Sequence, residues 1–460
     1  MSARALIMVV VLAFPARLAP STGLRLRWCA AMPRGAVQVD RTPWTDPPAV
    51  RPLRWLMRRL RAPGGALEEP CVAAEVGRAS RCGRPALASF FRALDATAAQ
   101  GERTGVVVFG NSLIASDGIT SVVRERLVAR FGDGGRGMVL ADRMASYGPR
   151  ARTAQRASGW ETANIGGLER PGAPVGLAGV IHVSEGPARS SFTLHGERVA
   201  DVFWFGEDST PALLWRGDDG AWAPLAPVAP GPQMTRVSLP EGTARFELKA
   251  LGAGAVAHGV ALERDTGGVV LDVFGVPSAD ANLWLDTDEA SFGAQLAARG
   301  PELVVVMLGG NEAKRIAWRK ATPASTEEHL AGLLERLARS APGASCLVVG
   351  PLDAVVGPSD ERDPFRQRPQ LARVIALERE VAHEHGCAFF DLYAAMGGRD
   401  SLKRLAEAGL MADDLVHPRS RGLDLLGLLI SDALLAAYAE GDWVDALPAP
   451  RVAAGAVVAR

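Results

Sequence analysis

Five short apolar runs, each closed by a glycine or polar turn, limit this chain to few architectures. They are GVVVF at 105–109, VVLDV at 269–273, LVVVML at 303–308, CLVVG at 346–350 and AFFDL at 388–392. Runs without polar alternation belong to strands covered on both faces, as in a parallel sheet flanked by helices. Helical apolar spacing fills the intervals. It is found at 86–99, from a cap at Asp117 to about Phe131, and near 289–298, 326–340, 370–385, 401–408 and 422–440. The pattern predicts one α/β layer with about five parallel strands.

Between the first and second runs the texture changes. From about Arg150 to Asp265, segments such as VADVFWFG, PALLWRG, RVSLPEG and ARFELKALG are short, β-rich and separated by Gly, Pro and Asp turns. That spacing predicts a β-sandwich inserted after the first strand–helix unit. Trp160, Trp204, Trp215 and Trp222 lie within it, either as core or as an aromatic face able to stack on sugar rings. The expected layout is an N-terminal leader or anchor at 1–22, a loosely ordered lead-in at 23–84, an α/β domain at 85–150 and 266–442, the insertion at 151–265, and a tail at 443–460.

Composition excludes some partners. Fifty-one Lys and Arg balance fifty-one Asp and Glu, so no global field draws nucleic acid or an anionic membrane. The basic run at Arg51–Arg61 is nearly free of interleaved aromatics, and no nucleic-acid partner is expected. At the N-terminus, Arg4 precedes about ten apolar residues from Ala5 to Phe14. This is the length of a signal-peptide core and too short to span a bilayer, which predicts a periplasmic or secreted protein. No other stretch reads as a transmembrane helix. An exported chain could close Cys71 and Cys82 into a small disulfide loop, while Cys346 and Cys387, in apolar runs, read as buried thiols. No Cys/His group has metal-ligand spacing, and no cofactor is expected. His383 and His385, two apart on a helix, read as solvated side chains on different faces.

In a parallel α/β sheet, ligands bind beyond the carboxyl ends of the strands. Ser112 follows the first run, Ser278 the second and Asn311 the third, while Asp414 and His417 precede the last helix. Each is individually an ordinary cap or turn residue; their convergence on one edge is what points to chemistry.

Gly110-Asn111-Ser112-Leu113 resembles the GDSL block of SGNH hydrolases, Leu308-Gly309-Gly310-Asn311-Glu312 the block that carries their asparagine, and Asp414-Leu415-Val416-His417 their closing DxxH. The longer contexts after Gly110 and around Asp414 resemble a bacterial envelope-associated subgroup related to peptidoglycan O-acetylesterases. The resemblance implies an SGNH-hydrolase (flavodoxin-like) three-layer α/β/α sandwich. It also implies a nucleophile at Ser112 and a base at His417 oriented by Asp414. Oxyanion donors are then expected from Ser112, the position of Ser278, and Asn311, with Asn111 and Gly310 supporting them. A serine hydroxyl needs an adjacent base to become nucleophilic, and a positioned carboxylate fixes the imidazole tautomer. No G-x-S-x-G elbow is present, because position 114 is Ile.

Two positions depart from the pattern. Asn111 stands where the family has Asp, and Ser278 where it has Gly. If position 278 needs a positive φ, serine there costs conformational energy. The implied activity is a serine esterase acting on O-acyl groups of an envelope polysaccharide, with an acylated carbohydrate as partner and cell-wall association through the insertion. A degenerate glycan-binding module and an O-acetyltransferase are the alternatives.

Overall fold

The computed structural model describes residues 9–13, 45–70, 86–144, 152–167, 172–206, 213–225, 229–358, 360–441 and 443. Cys29, Cys71 and Cys82, the C-terminal tail apart from Trp443, and the leader apart from residues 9–13 lie outside these residues. At the centre are five parallel strands in the order Gly268–Gly275, Arg103–Gly110, Leu303–Met307, Ser345–Val349 and Ala388–Phe390. The second strand in the chain thus lies outside the first. This creates a topological switch point between Arg103–Gly110 and Leu303–Met307.

Side-chain alternation along these strands feeds two cores. Val106 and Val108 join Leu303, Val305 and Met307 beneath the helices Ala88–Gln100, Gly118–Phe131 and Ser420–Glu440. Val107 and Phe109 join Val304 and Val306 beneath Glu289–Arg299, Pro323–Ser340 and Leu371–Glu384. Helices cover both faces, which explains the unbroken apolar runs. Ser420–Glu440 does reach the length and hydropathy of a membrane span, contrary to the sequence expectation that no such stretch exists. Its most apolar window is 78% buried inside the protein, where it packs on the sheet as a core helix.

Between Gly110 and Gly268 the chain builds most of an antiparallel sheet, to which Val9–Ala13 adds an edge strand. Its main path runs Val9–Ala13, Gly231–Ser238, Val199–Gly206, Val256–Glu263, Val180–Thr193, Arg245–Ala250, Leu213–Gly217 and Ala223–Pro224. Arg156–Asn164 pairs with Val180–Thr193, and Gly135–Val139 with Val256–Glu263, so this sheet begins before the expected boundary at 151. The ladders join these strands in one hydrogen-bonded sheet. Trp160, Trp204 and Trp215 are buried core residues, with Trp160 and Trp204 donating to the Ser190 and Thr235 hydroxyls. They present no stacking face. The half-buried Trp222 is flanked by Arg189, Arg216 and Lys249.

A buried guanidinium joins the two sheets. Arg299 donates to Asp272 of the parallel sheet (2.6 Å) and to Glu263 of the antiparallel one. Asp272 also accepts the Met138 N–H (2.6 Å), and Glu263 pairs with Arg103 (3.0 Å).

Three further expectations change. The lead-in is ordered over 45–70, where Leu53 and Leu56 of helix Arg51–Arg59 are buried against the α/β layer. Its Arg54 pairs with Asp46 (2.7 Å) and Asp432, so part of the basic run is neutralised internally. Cys346 and Cys387 are a disulfide rather than thiols, because their strands are neighbours and bring the Cα atoms to 4.6 Å. His383 and His385 are half-buried rather than solvated, and the His385 ring contacts the Val381 carbonyl (2.9 Å).

The strand ends approach very closely at the switch point. Gly110 lies beside Gly275 in register. A Cβ on Gly275 would sit 2.1 Å from the Ala115 backbone nitrogen, in the turn that carries Ser112. Gly275→Ala should therefore destabilise the fold by about 2–3 kcal/mol in urea unfolding, the upper range for overpacking. A variant as stable as the parent would show that this turn can move away from the sheet.

Candidate functional site

Ser112 opens the short helix Ser112–Ala115 immediately beyond the strand Arg103–Gly110. Asn111 is its N-cap: the buried side-chain oxygen accepts the Leu113 N–H (3.0 Å). An aspartate would accept the same bond, so Asn111 preserves the turn while omitting a charge beside Ser112. Asp117 occupies the next cap position, but its carboxylate binds the Thr120 hydroxyl (2.6 Å) and Arg124 (2.7 Å) instead of capping the backbone.

The loop before the last helix brings in Asp414 and His417. His417 Nε2 lies 2.9 Å from Ser112 Oγ, and Nδ1 lies 2.6 Å from Asp414 Oδ2. The other Asp414 oxygen accepts the backbone N–H groups of Val416 (2.9 Å) and His417 (3.0 Å). Partial burial raises the Asp414 pKa, but these hydrogen bonds outweigh it and hold the carboxyl below its ordinary value. The three-residue spacing is thus a self-closed turn in which one carboxylate grips both the imidazole and its backbone. Met411 bridges Pro418 across its base. Both side chains are nearly half exposed.

The second and third blocks meet beside this relay. Ser278 adopts φ +64°, the left-handed conformation that glycine occupies without strain. Its side chain is exposed, and its carbonyl accepts from Arg315 (3.2 Å), which also pairs with Asp280 (2.8 Å). Asn311 donates to the Ala279 carbonyl (2.8 Å), using one of its two amide N–H bonds. Gly310 begins the helix Gly310–Ala317, and its carbonyl accepts from Arg368 (3.0 Å). Ser112, Ser278 and Asn311 thus follow three adjacent strands, and His417 reaches Ser112 from the loop before the last helix.

Sequence reasoning missed a buried carboxyl pair behind Asn311. Glu312 reaches back to the Gly309 N–H (2.8 Å) and also accepts from Ala281 (3.3 Å). Burial, then the charge of Asp280, pushes its pKa up to about 7. Glu378, on the helix Leu371–Glu384, presses on the same turn: a Cβ on Gly309 would lie 2.7 Å from its carboxylate. Burial and then the Glu312 charge raise Glu378 well above the ordinary carboxyl range, so these groups do not both ionise near neutrality. The signal was present, because Glu378 continues the buried Leu371, Val374, Ile375 register of its helix.

Above the ordinary carboxyl value of 4.5, the native state retains a proton on Glu378 that the unfolded chain has released. Stability should fall as pH rises from there through about 7, by at most about 1.4 kcal/mol per pH unit per group. Glu378→Gln removes this term, so urea midpoints should favour the variant progressively as pH rises above the ordinary carboxyl value of 4.5. Parallel curves would show that Glu378 is ionised in the fold.

Residues 241–425 match the model of the GDSL-like lipase/acylhydrolase family. That stretch includes Ser278, Asn311, Asp414 and His417; Ser112 lies before it, beyond most of the antiparallel sheet. No curated protein matches the sequence. Among solved structures, a peptidoglycan O-acetylesterase superposes with a TM-score of 0.65 at 21% identity, covering 78% of this chain and 98% of the other. A Bacillus subtilis protein matches with a TM-score of 0.32 at 13% identity, covering 66% of this chain and 97% of the other. Over residues 241–425 the chain is thus similar to the GDSL-like lipase/acylhydrolase family, and its overall fold resembles that of a peptidoglycan O-acetylesterase.

Proposed function

We propose that this protein is a serine esterase that removes O-acetyl or similarly short acyl groups from an envelope polysaccharide such as peptidoglycan. The observation that carries the reading is the unbroken relay from Ser112 Oγ through His417 to Asp414, at 2.9 and 2.6 Å. Ser112 Oγ attacks the ester carbonyl carbon while His417 Nε2 takes its proton. The resulting oxyanion is held by the Ser112 backbone N–H, the backbone N–H of the second block, and the remaining N–H of Asn311, each worth about 2.7–4 kcal/mol by analogy with measured donors. Collapse expels the sugar alkoxide, which receives the proton from His417. Water then attacks the acyl-enzyme with His417 again as base, releasing the carboxylic acid and restoring Ser112. Asp414 stays ionised throughout and stabilises the imidazolium.

The likeness to a peptidoglycan O-acetylesterase supports the substrate class. The Cys346–Cys387 disulfide supports an oxidising compartment, as expected of an exported protein. The antiparallel sheet, read as an inserted module, offers cell-wall contact without using its buried tryptophans.

Purified protein should hydrolyse a small aryl acetate, and Ser112→Ala should reduce the rate to background. Wild-type turnover no faster than the Ser112→Ala variant would overturn the reading. Ser278→Gly relieves a left-handed side chain, so it should keep or raise the aryl-acetate rate while changing stability by less than about 1 kcal/mol. A large loss of rate would instead assign the Ser278 hydroxyl a role of its own.

A further inference from the structure

The helix Gly310–Ala317 starts at the oxyanion asparagine and leads outward along one face. Asn311, Lys314, Arg315 and Trp318 fall at i, i+3, i+4 and i+7, the spacing of residues stacked on a single helical side. With a rise of about 1.5 Å per residue, Trp318 stands roughly 10 Å from Asn311 along the axis, of the order of a disaccharide.

Trp318 is 57% exposed, one of three large apolar side chains left open among the described residues, whereas Trp160, Trp204 and Trp215 are core. It is not a frayed tip. The Lys320 N–H returns to the Arg315 carbonyl (2.8 Å) and the Arg319 N–H to that of Ile316 (3.0 Å), with Arg319 at φ +56°. This tight helix end places Lys320 Nζ over the indole ring at 5.5 Å from its centroid, and Lys314 Nζ lies over it at 4.5 Å, so a stacked sugar would take the place of an ammonium group that turns outward to meet its acid. Between Ala313 and Thr322 there are four cations and no carboxylate. Arg315 is committed to Asp280 and anchors the helix to the second block, leaving Lys314, Arg319 and Lys320 to set the field around the ring.

We propose that this face is a subsite for a carboxylate-bearing pyranose polymer, with Trp318 stacking on a sugar ring and Lys314 and Lys320 meeting its acidic groups. An aromatic plane suits the CH face of a pyranose, and flanking ammonium groups select anionic over neutral glycans. The subsite rests on the esterase reading, since it would hold the polymer while an ester lies at Ser112. It deepens that reading by assigning the substrate a negative charge close to the scissile bond.

The test uses the full chain carrying Ser112→Ala, with O-acetylated peptidoglycan as probe before and after its carboxylates are capped as amides. Binding to the untreated polymer should weaken about tenfold on adding Trp318→Ala and recover substantially with Trp318→Phe. It should weaken similarly on capping, and Lys314→Gln with Lys320→Gln should flatten its salt dependence. In the Ser112 protein, Trp318→Ala should lower acetate release from the polymer about tenfold more than aryl-acetate hydrolysis. Equal binding to capped and uncapped polymer, or binding indifferent to Trp318→Ala, overturns the proposal. Trp318-dependent binding by a protein that hydrolyses no aryl acetate would instead sink the esterase reading and leave the subsite standing.

Discussion

The alignment of three neighbouring strand ends is the constraint on which the rest of the site depends. Gly275, Gly110 and Met307 lie side by side in parallel register, so the loops that follow them emerge together. The packing at this point is backbone on backbone, with no room for a side chain on Gly275. Ser112 therefore takes its position from the sheet rather than from its own short helix. A single-residue slip of either neighbour would reverse which face each side chain enters and would separate Ser112 from Ser278 and Asn311.

The surrounding polar groups serve the same placement. Arg315 binds Asp280 and the Ser278 carbonyl, while Asn311 binds the Ala279 carbonyl, so the second and third blocks are tied directly together. Glu312 and Glu378 tighten the Gly309 turn from behind, at the cost of burying two acids side by side. Asp414 fixes its own loop and its histidine with one carboxylate. The groups proposed for chemistry thus stand on backbone that is held by other side chains.

Much of this was legible in the sequence, for a physical reason: what was readable is local. The apolar runs mark strands buried on both faces, and the Asp414–His417 spacing is a turn that closes on itself. The positive φ of Ser278 follows from a serine at a glycine position. What escaped depends on contacts between distant segments. The Cys346–Cys387 bond requires knowing which strands are neighbours. The burial of three tryptophans requires knowing which face of the antiparallel sheet is covered, and the helix Arg51–Arg59 is stabilised by partners such as Asp432 nearly four hundred residues away.

The strand order also has a consequence for synthesis. Arg103–Gly110 is an interior strand of the parallel sheet, yet both of its partners follow the antiparallel segment that lies between Gly110 and Gly268. At ~5–20 residues per second, a nascent chain would hold this apolar strand without its neighbours for roughly 10–30 s. Until then the hydrophobic segment that precedes Ser112 has only its adjoining helices for cover, and the emerging chain must keep it from pairing elsewhere.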